Sequence, residues 1–188
     1  MDSSKLRLNK NYKCFHFLEV KKMDKEIYNL IRNHGKELMQ SEGMQSQKEH
    51  MQHGTISVYQ HCFAVAYTSL YLAKCLHIAV DQEQMLRGAL LHDYFLYDWH
   101  VPDESHKWHG YSHAAVALEN AARDFELQKI EKDIIEKHMF PLNLTKIPKY
   151  RESVLVCIAD KICATRETLF CRNNKKQKHR EGIRWNVE

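Results

Sequence analysis

Apolar residues recur at intervals of three and four along most of the chain, which is the pattern of amphipathic α-helices. In the first half it predicts helices over residues 24–40, from 58 to about 76, and from Asp81 to His92. The first prediction runs through Gly35, and Ser57 is the expected N-cap of the second helix. Asp81 and Gln84 form a candidate capping box for the third.

The second half of the chain continues the helical pattern. We expect helices over 113–125 behind a cap at Ser112, over 126–137, and from about 150 to 170. His138 then ends the fifth helix, and Asp160 lies in the middle of the sixth. Residues 41–54 and 94–111 are expected to be loops or broken helix, and 141–148 a turn. Since we find no strand with convincing alternation, the pattern predicts an all-α fold.

Composition is consistent with one globular helical domain. The chain has 188 residues, of which 44% are hydrophobic and 28% charged, and its six glycines and three prolines disfavour a sandwich of short strands. The longest apolar stretch, residues 62–67, is far shorter than the about 18 residues of a membrane helix. The N-terminus lacks the apolar core of a secretory signal. We therefore expect a cytoplasmic protein, off the membrane, with reduced cysteines.

Positive charge is concentrated at both ends of the chain. Residues 1–22 and residues 172–188 each contain six Lys or Arg against two acidic residues, while the whole chain has a net charge of +4. This predicts a basic N-terminal segment (1–22), a helical domain (23–171) and a basic C-terminal tail (172–188). Basic ends can bind nucleic acid, but solvated termini explain them more simply, and nucleic acid is not an expected partner. The oligomeric state is left open.

Histidines and aspartates indicate a metal site. The chain has 13 histidines, and three predicted helices supply His61, the pair His92-Asp93, and Asp160 within an apolar run. An ionised aspartate on an apolar helix face is costly unless a charge or a metal compensates it. Imidazoles and carboxylates without thiolates suit Mn²⁺, Fe²⁺, Ni²⁺, Co²⁺ or Zn²⁺ and are unlike a structural zinc site. The alternative is a helical core with satisfied histidines and an internal ion pair.

The order of these residues resembles the HD-domain superfamily of metal-dependent phosphohydrolases. The resemblance covers about residues 55–167 and includes a serine, Ser57, four residues before His61. The segments 92–100, 109–113 and 134–142 are similar to those of a bacterial subgroup of HD proteins. The resemblance implies an all-α, HD-domain-like helical bundle with its metal at the centre.

A second set of ligands follows from the resemblance. His113 and His138 match the positions that bind a second ion in two-metal members, although helix-terminal histidines without a ligand are the alternative. The resemblance implies that Asp93 bridges the ions, with His61, His92 and Asp160 on one ion and His113 and His138 on the other. The implied cofactor is one or two divalent ions (Mn, Fe, Ni, Co, Zn or Mg). The implied reaction is attack of a metal-bound hydroxide on phosphorus.

The remaining catalytic groups depart from the family pattern. Many two-metal members have Gly-Lys after the His-Asp pair, and some one-metal nucleotidases have Glu where this chain has Leu96. Candidates for a replacement acid are Asp98, His100 and His109, and candidates for phosphate binding are Lys161, Lys137 and Arg87. Glu167, two turns after Asp160, is a candidate to orient a ligand imidazole. The aromatic residues Phe95, Tyr97, Trp99, Trp108 and Tyr111 are candidates for a nucleobase wall or a small satellite core.

Two functions remain open at this point. The first is an HD-type hydrolase that cleaves a phosphomonoester or phosphodiester in a small metabolite or nucleotide, with Asp93, His109 and Lys161 in catalytic roles. The second is a non-catalytic HD-type module that binds a phosphorylated effector and regulates a partner, which the departure at Leu96 favours. A structural zinc protein is a distant third, because the thiolates are not clustered.

Overall fold

The computed structural model describes residues 24–53, 55–100 and 109–184, with side chains except at positions 53, 109 and 170–184. Within these ranges the chain forms helices α1 (Lys25–His34), α2 (Lys36–Gln40), α3 (Glu42–Ser46), α4 (Val58–Cys75), α5 (Gln82–Leu91), α6 (His109–Asp124), α7 (Lys129–Lys137) and α8 (Arg151–Arg184), and strands β1 (Met51–His53) and β2 (Ile56–Ser57). The predicted all-α fold is confirmed. The basic segment 1–22 lies outside the described residues.

The core is formed where the five helices α4 to α8 meet. Helix α4 packs against α5 and α8, while α7 packs against α5, α6 and α8. Fully buried residues from these helices include Val65, Met85, Leu90, Ile134 and Val156. Removal of such side chains from water drives the assembly, at roughly 1.5–3 kcal/mol for each large aliphatic group. The arrangement brings the C-terminal ends of α5 and α7 to the first turn of α4 and to the Asp160 region of α8.

Two of the predicted helix starts are confirmed. The Ser57 hydroxyl accepts a hydrogen bond from the Gln60 N–H, and the Gln60 side chain accepts one from the Ser57 N–H, which is a complete capping box for α4. At α5, the Asp81 carboxylate accepts from both the backbone and the side chain of Gln84. These caps fix where α4 and α5 begin, and therefore which residues stand at their ends.

Glycine sets the distance between α5 and α7. A Cβ atom on Gly88 would lie 2.7 Å from Cδ1 and 3.1 Å from Cβ of Ile134, well inside ordinary contact. Only a residue without a side chain allows the two helices to approach this closely. Gly88 stands one turn before His92, so the close contact lies directly below the ends of both helices.

Several predicted boundaries are wrong. The first helix breaks at Gly35, where an added Cβ would lie 2.7 Å from the Ile31 carbonyl oxygen and 2.9 Å from Leu90 Cδ1. Helix α6 begins at His109, which places Ser112 inside its first turn and not at its cap. Helix α7 begins at Lys129, where the Gln128 N–H donates to the Glu131 carboxylate.

The last helix is much longer than predicted. It continues past residue 170 to Arg184, because the segment contains good helix formers and no proline. The backbone of most of the predicted basic tail is therefore a direct extension of α8.

A short hairpin was also missed. Strands β1 and β2 pair antiparallel, with Met51 opposite Ser57 and His53 opposite Ile56. Each strand is too short for alternation to be visible in the sequence. None of the described helices has the length and apolar character that crossing a bilayer would require.

Candidate metal centre

Six buried side chains from five helices converge in the middle of the bundle. His61 lies in the first turn of α4, His92 and Asp93 follow α5, His113 lies in α6, His138 follows α7, and Asp160 lies in α8. All six are less than 9% exposed. They form two groups, each of which could hold a metal ion: His61, His92 and Asp160, and Asp93, His113 and His138.

The first group surrounds the Nε2 atom of His61. This atom lies 3.1 Å from Asp160 Oδ1, and His92 Nε2 lies 3.8 Å from the same oxygen. The residues come from positions 99 apart in sequence, and the contact between α4 and α8 brings them together. The predicted convergence of the His-Asp pair with His61 and Asp160 is thus present in the fold.

The second group is tighter. His113 Nε2 and His138 Nε2 are 2.9 Å apart, and they lie 3.3 and 3.4 Å from Asp93 Oδ1. Nitrogen and oxygen ligands at bond lengths of about 2.1 Å from one ion are about 3.0–3.4 Å apart. These distances therefore match the ligand spacing of one divalent ion.

Asp93 is a member of the second group, but its carboxylate also faces the first group. Its Oδ1 faces His113 and His138, while its Oδ2 lies 3.4 Å from His92 Nε2 and 3.9 Å from His61 Nε2. One carboxylate thus presents one oxygen to each set of imidazoles. This is the geometry of a bridging ligand.

Hydrogen bonds to the other ring nitrogens select the tautomer of the ligands. His92 Nδ1 lies 2.8 Å from the Ala89 carbonyl oxygen, and His138 Nδ1 lies 2.9 Å from that of Ile135. A carbonyl oxygen only accepts, so each Nδ1 carries a proton and donates it. In the neutral ring, Nε2 is then left with the lone pair that a metal requires.

The charges of the cluster depend strongly on one another. Burial alone would lower the pKa of His61, but hydrogen bonds with Asp160 and Glu167 outweigh burial and raise the pKa well above 6.5. Burial alone would raise the pKa of Asp93, but the charge of His92 and the adjacent imidazoles of His113 and His138 hold it well below 3.8. The carboxylates are therefore ionised and need positive charge beside them, which a divalent cation would supply when it displaces the protons.

The donor set fits a divalent ion. Two of the buried ligand atoms, His92 Nε2 and Asp93 Oδ1, have no hydrogen-bond partner among the described residues. Buried polar atoms without partners are rare, and an ion is one of the recognised reasons for them. Both atoms belong to the clustered ligand groups. The residues present thus fit the metal that the sequence implied.

Comparison with protein families decides the assignment. The HD domain family matches residues 58–165, more than half of the chain. The chain belongs to the HD superfamily of metal-dependent phosphohydrolases. Comparison with curated proteins and with solved structures returned no match.

Two residues that hold the centre lie before the matched HD region, and sequence reasoning missed both. Gln52 Nε2 donates to Asp93 Oδ2 at 2.7 Å, and Gln47 Nε2 donates to the Asp93 backbone carbonyl at 2.8 Å. The hairpin carries Gln52, and Gln47 is completely buried. The only available signal was a polar segment with two glycines, which does not reveal a buried contact.

The predicted helper residues of the HD domain have different outcomes. Lys161 is half-exposed beside the centre, where its ammonium donates to the His138 carbonyl at 2.6 Å and lies 3.3 Å from Asp160 Oδ2. Arg87 instead donates to the buried Glu131 at 2.7 Å, and Lys137 pairs with Asp133. The last two cations are bound within the scaffold, so their suggested role in phosphate binding is not supported.

Three other candidates are placed as follows. The half-exposed Asp98 pairs with the exposed His100 at 3.1 Å. His109 begins α6 one turn before His113, and its side chain lies outside the described part. Its role as an acid stays a prediction.

Part of the predicted aromatic wall lies beside the HD centre. The Phe95 ring meets the His113 ring edge-on, with centroids 5.9 Å apart, and Tyr97 packs on Phe95. Burial, and then the charge of Asp93, raise the pKa of Tyr97 to about 12. Phe95 is buried with Val58 and Cys62, which makes it part of a satellite core. Trp108 lies outside the described residues.

Proposed function

We propose that this HD domain is a two-metal hydrolase that cleaves a phosphomonoester or phosphodiester bond in a small phosphorylated metabolite or nucleotide. The observation that carries the proposal is the position of Asp93, whose two carboxylate oxygens face two separate sets of imidazoles. A single structural ion would not need a second complete set of ligands around the same carboxylate. Membership of the HD superfamily supports this reaction class.

The residues of the centre have distinct roles in this proposal. His61, His92 and Asp160 would hold one ion, His113 and His138 the other, and Asp93 both. Bound divalent ions supply acidity to a water molecule and positive charge to phosphoryl oxygens. Positioning of the substrate and transfer of its protons depend on side chains of this protein.

Two of those side chains are assigned here. Lys161 offers a half-exposed positive charge directly beside the centre, which suits a phosphoryl oxygen of the substrate. His109 lies one helical turn before His113 in α6, and we assign it as the acid that protonates the leaving group. Both assignments are part of the proposal.

The test combines metal content with turnover. Purified protein is analysed for Mn, Fe, Ni, Co and Zn, and then assayed with nitrophenyl phosphate, bis-nitrophenyl phosphate and a panel of nucleotides, with each divalent ion added, including Mg²⁺. We expect two ions per chain and metal-dependent release of phosphate or nitrophenol. Protein that retains no metal under any loading condition would overturn the proposal.

A non-catalytic module is the second candidate. Leu96 occupies the position where some one-metal nucleotidases of the family have Glu, and its side chain packs against the core with a positive φ of 60°. It offers no proton to a reaction. Metal-loaded protein that binds nucleotides and releases no product with any ion or at any pH would favour this candidate.

A further inference from the structure

The imidazole of His61 is held at both nitrogens by one helix. Nε2 lies 3.1 Å from Asp160 Oδ1, and Nδ1 lies 2.9 Å from Glu167 Oε2. Asp160 and Glu167 are seven residues apart on α8, which is two helical turns and therefore the same face. His61 itself is completely buried, and the Glu167 side chain is only 12% exposed. The contact is thus an internal one between α4 and α8.

His61 differs from the other anchored ligands in its place on its helix. His92 and His138 each stand at a helix C-cap, where carbonyl groups of the last turn are free to accept from Nδ1. His61 stands in the first turn of α4, where the free backbone groups are N–H donors. No local carbonyl can accept from its Nδ1, so the acceptor has to come from another element.

The acceptor is a carboxylate, which does more than a carbonyl would. It fixes the proton on Nδ1 and leaves the Nε2 lone pair for a ligand, as a carbonyl does. Its negative charge also makes the imidazole a stronger donor to a cation. Loss of a partner of this kind typically weakens metal binding 10–100-fold.

We propose that Glu167 is a positioning residue that orients His61 and strengthens the first metal group. Glu167 lies two residues beyond the matched HD region, so the C-terminal continuation of α8 takes part in building the centre. The inference rests on the proposed metal centre, because it assigns Glu167 a role in the affinity for the ion. It does not require that the protein be catalytic.

The experiment uses Glu167→Gln and Glu167→Ala in the full chain, with Glu119→Gln as a matched control on an exposed face of α6. Calorimetric titration with Mn²⁺ measures the dissociation constant at each step of binding. In the Zn²⁺-loaded protein, proton-detected nitrogen NMR reports whether the Nδ1–H of His61 is hydrogen-bonded and protected from exchange with water. The melting temperature of the metal-free variants reports folding.

We expect Glu167→Ala to weaken one binding step 10–100-fold and to lose the Nδ1–H signal of His61. Glu167→Gln, which keeps an oxygen acceptor without the charge, should retain the Nδ1–H signal and weaken the same step by less. Glu119→Gln should match the wild type. If the alanine variant does not fold, the glutamine variant alone decides through its dissociation constant.

The outcomes separate this inference from the proposed function. Wild-type protein that binds Mn²⁺ while both Glu167 variants bind it with unchanged affinity would overturn the role of Glu167 and leave the centre intact. A lower melting temperature with unchanged affinity would show that the contact only joins two helices, which also overturns the inference. Wild-type protein that binds no ion would overturn the proposed function and the inference with it.

Discussion

His92 and His138 occupy equivalent positions in their helices: each is the C-cap residue, and each imidazole Nδ1 lies within 2.9 Å of the carbonyl oxygen three residues earlier. The two helices thus present their ligands in the same way. A free carbonyl of the last turn orients the ring, and Nε2 points away from the helix to its neighbours in the cluster. The following changes test the consequences of this arrangement.

Asp93→Asn should empty both metal groups. An amide cannot present two negatively charged oxygens, and the Asp93 carboxylate faces both sets of imidazoles. We expect the metal content after dialysis to fall to less than half of the wild-type value, and any phosphatase turnover to fall at least about 100-fold. Glu119→Gln, on an exposed face of α6, is the control. Wild-type metal content in the Asp93 variant would rule out a bridging role.

His113→Ala should remove one ion and leave the other. Its Nε2 contacts Asp93 and His138, the other two members of the second group. Quantitative metal analysis should therefore give about half of the wild-type stoichiometry. Loss of all metal, or retention of all of it, would contradict the division into two groups.

Gln52→Ala should disturb the centre without removing a ligand. The lost hydrogen bond to Asp93 Oδ2 frees the carboxylate to rotate. We expect metal affinity to decrease by about 10-fold, the lower end of what such supporting contacts contribute. The measurement is a Mn²⁺ titration, with the exposed Gln40→Ala as control. Equal affinities in the two variants would show that Gln52 does not support Asp93.

Lys161→Met should affect substrate binding more than metal binding. The substitution removes the charge beside Asp160 and keeps most of the side-chain volume. We expect KM for a phosphorylated substrate to rise about 10-fold, with metal content unchanged, since a hydrogen bond to a charged group contributes about 1.5 kcal/mol or more. The matched control is Lys146→Met, because Lys146 pairs with Glu136, which belongs to neither metal group. An unchanged KM would show that Lys161 does not bind the substrate.

Asp133→Asn should reduce stability at neutral pH. Burial alone would raise the pKa of Asp133, but hydrogen bonds from Lys137, the Lys149 N–H and Ser153 outweigh burial and lower it. Its contribution to stability is therefore complete above the unfolded-state pKa of about 3.9 and is lost as the pH falls through the lower folded-state pKa. The substitution also leaves the ammonium of Lys137 buried without its partner.

We expect this variant to lower the free energy of unfolding at pH 7 by about 3 kcal/mol. The difference from the wild type should shrink as the pH is lowered below about 4, because the wild type then loses the same charge. Urea denaturation of the metal-free proteins at pH 7 and pH 3 measures both values. A difference that does not depend on pH would mean that the ionised carboxylate is not what stabilises the helix pair.

The sequence predicted which side chains meet at the centre better than it predicted their surroundings. All six candidate ligands follow from the resemblance to a family pattern, in which metal binding constrains the residue types and the fold constrains their order. Glu167 could be found because a helix repeats the same face after seven residues. Gln52 could not, because its contact depends on a hairpin whose strands are too short to leave a pattern.

The errors in the helper residues have a similar cause. Arg87 was a reasonable phosphate ligand by charge alone, but its partner Glu131 lies 44 positions away on α7. Pairing of charges across helices depends on packing that the sequence does not encode locally. The predictions of helix ends were wrong for a related reason. The break at Gly35 reflects a close approach of Leu90, a residue of α5.

Gly88 links the packing of the hydrophobic core to the positions of His92 and His138. It lets α5 and α7 touch through Ile134 one turn below the points where His92 and His138 leave their helices. A methyl group at position 88 would push α5 and α7 apart, and this would displace the imidazoles of His92 and His138. The spacing between the two candidate metal groups thus depends on the absence of a side chain at position 88, which belongs to neither group.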